Sequence, residues 1–162
     1  KNKKELEKNL NVIIKIKKSS VEVKGNETDG YVAEKVIEAL NYGFALKEAL
    51  LLKDPEYSMQ KINIKDVTKK HNLKLIRARI IGTEGKSLRT ITNLTDCRIK
   101  LIKNTIIILG KAEEIEKSIQ AFTSLIKGSK HSKVYSRLER MKNKEKLKEE
   151  DVKQHIEEEY KK

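Results

Sequence analysis

The stretch IIGTEGKSLRTITNLTDCRIKL, residues 80–101, sets Gly82 and Gly85 three positions apart, between an apolar pair and a run that carries Lys86 and Arg89. Glycine at both positions permits a tight connection and removes the side chains that would hold a polymer backbone at a distance. A helix beginning near Lys86 would offer its first amides and the positive end of its dipole to a phosphate, with Lys86 and Arg89 adding full charges. The chemistry this arrangement fits is a clamp on a nucleic-acid backbone.

Hydrophobic periodicity supplies the elements that would position the loop. TKKHNLKLIRARII, residues 68–81, places Leu73, Ile76 and Ile80 on one helical face and is predicted as a helix. Before it, QKINIKD alternates Ile62 and Ile64 as a strand. After the loop come the back of a second helix, two short alternating strands joined by the tight turn KNT, then Gly110 and an amphipathic helix through Ile115, Ile119, Phe122 and Ile126. The order is strand, helix, GTEG, helix, strand, strand, helix.

Part of this order occurs twice. Residues 1–25 slide without a gap onto 86–110, and Leu6 meets Ile91, Val12 meets Cys97, Ile14 meets Ile99, Ile16 meets Leu101, Val21 meets Ile106, Val23 meets Ile108 and Gly25 meets Gly110. The first copy closes with a helix through Val32, Val36 and Leu40, and GFALKEALLLKDPEY, ended at Asp54-Pro55, reads as a connector. In this register Lys1 falls opposite Lys86, so the counterpart of the loop would precede residue 1. The first copy is therefore expected to be incomplete at its N-terminus.

Charge is divided as unevenly as the loop motif. The 162 residues carry a net charge of +13. Residues 1–60 hold 11 basic and 10 acidic side chains, residues 61–141 hold 19 and 7, and residues 142–162 hold 7 and 7. The excess thus lies on the half that contains the loop, which points to a polyanionic partner. A single Cys cannot form an intramolecular disulfide, and His71, His131 and His155 stand apart without metal-ligand spacing, so a reducing, cytoplasmic setting and no cofactor or metal are expected. No apolar run reaches the roughly 18 residues of a membrane helix, and no membrane association is expected. Paired carboxylates, an activated nucleophile and a phosphate-binding P-loop are all missing from the sequence, and catalysis is not expected.

The GxxG between two helices, within a strand-helix-helix-strand-strand-helix unit, resembles the KH family of single-stranded nucleic-acid binders, whose GxxG loop clamps about four nucleotides. With the flanks NYGFALKEALLLKDPEYSMQKINIKD and LIKGSKHSKVYSRLER the chain is similar to the two-KH-domain small-subunit ribosome-assembly factors of the partner-of-NOB and KRR group, in their compact archaeal form. The resemblance implies an α+β fold of two tandem type I KH-like domains, each a three-stranded sheet packed by helices. The divisions would be 1–60 for the partial first domain and connector, 61–141 for the second domain with its basic extension, and 142–162 for a charged helical or disordered tail. It also implies a monomer that binds small-subunit rRNA near its 3′ end and assists maturation, with the NOB endonuclease and the alpha subunit of initiation factor two as partners. A protein-binding scaffold and a KH regulator of translation or decay remain as alternatives.

Within that scheme the RNA would meet Lys74, Arg77 and Arg79 on the first helix, Gly82, Thr83, Glu84 and Gly85 in the loop, and Lys86 and Arg89 after it. Ile81, Ile91 and Ile99 would floor an apolar groove, with plain core as the other reading of each. Arg98 and Lys100 on the following strand would reach base edges or phosphates, and Lys130, His131 and Lys133 would extend the basic surface. Few aromatics implies aliphatic and hydrogen-bonded base contacts and weak sequence discrimination. Cys97 is read as core, His71 as a solvated helix residue, and Tyr135 as either packing the tail against the sheet or stacking on a base. Leu147, Val152, Ile156 and Tyr160 in the tail are spaced roughly helically. Aspartate at both Gly82 and Gly85 is expected to abolish RNA binding while mostly sparing the fold. Glu84 sets a carboxylate beside the clamp, so Glu84→Lys should tighten binding to every RNA sequence alike, because phosphate contacts position without reading bases. Titrations against oligonucleotides of unrelated sequence check this, and a gain confined to one sequence would contradict it.

Overall fold

The computed structural model describes residues 2–18 and 20–160; Lys1, which the repeat pairs with Lys86, Ser19 of the first turn and the side chain of Tyr160 lie outside the described residues. The chain runs α1 (Asn2–Leu10), β1 (Ile13–Ile16), β2 (Val21–Lys24), α2 (Glu27–Asn41), α3 (Leu46–Ala49) with a 3₁₀ turn (Leu50–Lys53), β3 (Tyr57–Asn63), α4 (Ile64–Val67), α5 (Leu73–Ile81), a 3₁₀ turn (Thr83–Gly85), α6 (Lys86–Thr95), β4 (Arg98–Ile102), β5 (Thr105–Lys111), α7 (Ala112–Lys127) and α8 (His131–Tyr160). β1 and β2 form an antiparallel pair, and β3-β5-β4 form a three-stranded antiparallel sheet.

The repeat is visible atom by atom. A Cβ on Gly25 would fall 2.8 Å from Val12 Cγ1, and one on Gly110 would fall 2.7 Å from Cys97 Sγ, so each unit closes its hairpin over the matching residue. Asn11 and Asp96, also 85 positions apart, both end a helix with φ of 52°. Leu6, Val12 and Ile14 are buried, as are Ile91, Cys97 and Ile99. Burial pushes the Cys97 thiol above its ordinary pKa, against hydrogen bonds from Ser118 and Thr95. The copies diverge at the second strand: Ile106 and Ile108 are fully buried, whereas Val21 is exposed and Val23 half-buried. β5 is central, flanked by β3 and β4, while β2 pairs with β1 alone.

Both faces of β5 are covered. Ile106 and Ile108 point into a core with Ile62, Ile76, Ile80, Ile91 and Phe122, whereas Ile107 and Leu109 point into the core of the first unit with Val36, Phe44 and Leu52. The continuous IIIL run is the sequence mark of a strand buried on both sides. The two units therefore share one strand.

Four boundaries differ from the sequence reading. The strand over 62 and 64 ends at Asn63, and Ile64 opens α4, though both isoleucines stay in the core. The helix predicted over 68–81 starts at Leu73, because the Asn72 side chain caps it by accepting from Leu75 N at 3.1 Å and residues 68–72 have no apolar face to bury. β3 begins at Tyr57, so a division at 60/61 falls inside a strand, and α8 runs unbroken across 141/142.

The start of α8 docks by Val134 and Leu138. Farther along, Lys117 is buried between Glu114 and Glu145 at 2.5 Å from each. Burial alone would lower its pKa, and the two carboxylates more than offset this and hold it above the ordinary lysine range. Beyond Glu145, Leu147, Val152 and Ile156 are exposed. Because β5 joins both cores, Leu109→Ala should destabilise the whole chain by about 2–5 kcal/mol. Urea unfolding should shift as one transition by both circular dichroism and tyrosine fluorescence; loss of the first unit alone would contradict a shared strand.

Candidate nucleic-acid interface

The loop between α5 and α6 is built on positions that tolerate little else. Gly82 ends α5 at φ 72°, ψ 173°, with its N–H donating to Ala78 O at 2.8 Å. A Cβ there would stand 2.7 Å from both Ser87 N and Ser87 Cβ, so the chain doubles back onto the first turn of α6. Gly85 is left-handed at φ 75°, but an added Cβ would meet nothing closer than Arg89 Nη1 at 3.4 Å. Glu84 is also left-handed at φ 51°, a conformation a non-glycine residue holds at some strain. The turn leaves Thr83 and Glu84 exposed at its tip.

The predicted site residues divide into three groups. Lys74, Lys86 and Arg89 are exposed around the loop and make no ion pair among the described residues. Arg77 donates to Asn104 Oδ1 at 2.6 Å, reaching from α5 to the β4–β5 turn, and among the described residues no carboxylate lies in ion-pair range of it. Ile81 is 40% exposed at the end of α5, and these residues share one side of the helix next to the loop. Lys130 and Lys133 are exposed at the start of α8.

A second group turns inward. Ile91 and Ile99 are 0% and 8% exposed and belong to the core, so Ile81 alone is left as apolar groove surface among the three. Arg79 donates to Ser129 O at 2.6 Å and Leu125 O at 3.4 Å, capping the end of α7, while the His131 ring stands 2.9 Å from Arg79 O. Both residues tie α5, α7 and α8 together. Tyr135 packs on the core beneath α8, with its ring 6.0 Å from that of His131.

Arg98 and Lys100 form the third group and point the other way. Successive strand residues face opposite sides, so with Ile99 and Leu101 in the helical core, Arg98 and Lys100 must face the first unit. Arg98 Nε lies 3.6 Å from Glu48 Oε1 on α3, and Lys100 Nζ sits 5.9 Å from the centre of the Phe44 ring. The groove reading of these two residues is thereby corrected. Asn104, by contrast, carries no sequence signal beyond its place in the turn between β4 and β5.

The sheet order, the two helices on one face and the Gly82–Gly85 turn between them define a type I KH unit. A family model described as eukaryotic-type KH-domain, KH-domain type I, matches residues 58–143, and the chain belongs to this family, in its PNO1 group. It is 32% identical to a KH domain-containing protein of Methanocaldococcus jannaschii over 88% of this chain and 66% of that protein. It is 36% identical to the pre-rRNA-processing protein PNO1 of Eremothecium gossypii over 80% of this chain and 52% of that protein. The chain thus spans about half to two thirds of the length of these curated relatives. Among solved structures, the a/eIF2alpha-aDim2p-rRNA complex from Pyrococcus horikoshii matches with a TM-score of 0.77 and 28% identity, covering 88% of this chain and 82% of that one.

The geometry separates the two glycines, which corrects the expectation that aspartate at both would mostly spare the fold. Gly82→Ala alone should destabilise by roughly 1–3 kcal/mol, since its backbone is one that only glycine adopts at ease and the new methyl meets backbone. Gly85→Asp should leave the urea midpoint nearly unchanged while adding a charge at the loop. Equal midpoints for the two variants would contradict this assignment.

Proposed function

We propose that this chain binds single-stranded small-subunit rRNA through its second KH unit and acts as a non-catalytic, monomeric factor in cytoplasmic ribosome assembly. The observation that carries the reading is the tight Gly82–Gly85 turn leading into α6, ringed by Lys74, Lys86 and Arg89, which are exposed and make no ion pair among the described residues. The field there stays positive despite Glu84. A relative is named for pre-rRNA processing, and a structural neighbour was solved with rRNA, both of which favour this partner over other polyanions. The same complex contains a/eIF2alpha, and we extend the proposal to the alpha subunit of initiation factor two as a protein partner. Binding near the rRNA 3′ end, beside a NOB-type endonuclease, completes the reading.

The RNA backbone would cross the loop, with Arg77 and Ile81 beside it on α5 and base contacts that are aliphatic and hydrogen-bonded. Four phosphates on a single strand give a log–log salt slope near −3, so affinity should fall about fifty-fold between 50 and 200 mM salt. Filter binding with a small-subunit rRNA 3′ fragment measures it. Replacing Lys74, Lys86 and Arg89 by alanine should flatten the slope by about 2. A salt-independent affinity, or a triple variant that binds as tightly as the parent, would exclude the reading.

A further inference from the structure

The loop has a second side. Around α5 from Arg77 and Ile81, the face carrying Leu75, Ala78 and Gly82 opens onto a cleft of about 480 Å³ closed by Lys86, Ser87 and, from α8, Tyr135 and His131. The arrangement exists because Arg79 and His131 hold the start of α8 against the end of α5. In the groove reading above, the RNA uses only the Arg77 side.

Ser87 makes this cleft more than a gap between helices. It is 1% exposed, and its Oγ has no hydrogen-bond partner. It lies in the first turn of α6, and the turn at Gly82 packs directly against its backbone N and Cβ. A buried hydroxyl without a partner is unfavourable in the free protein and is relieved by a ligand that supplies one. Beside it, Lys86 is exposed with no acidic partner among the described residues, at the positive end of the ten-residue α6, while Leu75, 60% exposed, and the Tyr135 ring offer apolar walls. A cation, a lone hydroxyl and a flat apolar surface together match the three parts of a nucleotide.

We infer that the cleft between α5 and α8 is a second nucleotide site, which seats one residue of the RNA chain after it crosses the loop. Its phosphate meets Lys86, its sugar hydroxyl reaches Ser87 Oγ as the Gly82 turn packed against that residue shifts, and its base lies over Leu75 and Tyr135. Gly82, Thr83 and Lys86 line both the cleft and the loop, so a strand clamped at the loop is delivered directly into it. An acidic peptide would satisfy Lys86 but leave the apolar wall without a counterpart. The inference rests on the RNA-binding reading above and goes beyond it by adding a nucleotide on the far side of the clamp.

Fluorescence anisotropy with single-stranded rRNA oligonucleotides of four and eight nucleotides tests it on the full chain. Leu75→Ser and Ser87→Ala should each weaken the eight-nucleotide RNA about five- to ten-fold, leave the four-nucleotide RNA within two-fold, and keep the salt slope, since neither carries charge. Ser87→Ala should at the same time raise the thermal unfolding midpoint or leave it unchanged, which separates a lost ligand contact from a damaged fold. Unchanged affinity of both variants for the longer RNA would overturn the second site while leaving the RNA-binding reading intact. Equal losses for both lengths would overturn it in favour of a purely positioning role for the cleft. Competition by polyglutamate that disappears in Leu75→Ser would overturn it in favour of a protein ligand. Failure of the parent protein to bind either RNA would instead bring down the underlying reading.

Discussion

The burial of β5 on both faces is the constraint on which the rest depends. Ile106 and Ile108 anchor the helices that carry the loop, and Ile107 and Leu109 anchor the first unit, all four with no exposed surface. A strand so placed has no polar face to give, and its neighbours must be oriented around it. β4, paired with it from Arg98 to Ile102, has to send alternate residues to the same two cores. That is why Arg98 and Lys100 meet Glu48 and Phe44 instead of a groove. The first unit thus acts as a cover for the sheet of the second and fixes which cations remain for a ligand.

On the helical side, the same rigidity concentrates charge at the loop. Arg79 is consumed in capping α7, and His131 in bonding the end of α5, so the start of α8 is locked beside the turn. Lys74, Lys86 and Arg89 are left around a backbone that doubles back tightly enough to bring Gly82 over Ser87. The short loop owes its geometry to packing as much as to glycine. Hydrogen bonds to carbonyls leave these cations charged but fix where they sit, so the local arrangement decides which of them a polyanion meets directly.

Much of the fold was legible because hydrophobic periodicity and the 85-residue register reflect burial directly. Leu6, Val12, Ile14 and Gly25 match Ile91, Cys97, Ile99 and Gly110 in sequence and in contact. The register also located the clamp, since a GxxG acquires meaning from the helices that bracket it. Helix starts were less legible: Asn72, and not the charged run before it, sets the beginning of α5. The placement of Arg98 and Lys100 on the face toward the first unit was open to the sequence as well, because period-two alternation forbids them from sharing a face with Ile99.

By itself, then, the sequence determined the element order, the paired units, the glycine turn and the half of the chain that bears the charge, because each follows from local spacing. Only tertiary structure decided which of the basic residues stay available and where the second side of the loop opens. Arg79 finds Ser129 fifty residues away, Arg77 finds Asn104 twenty-seven away, and Ser87 is left without a partner by a turn folded over it. Such pairings depend on which helix ends are brought together in space, and no local pattern of charge or hydropathy encodes that choice.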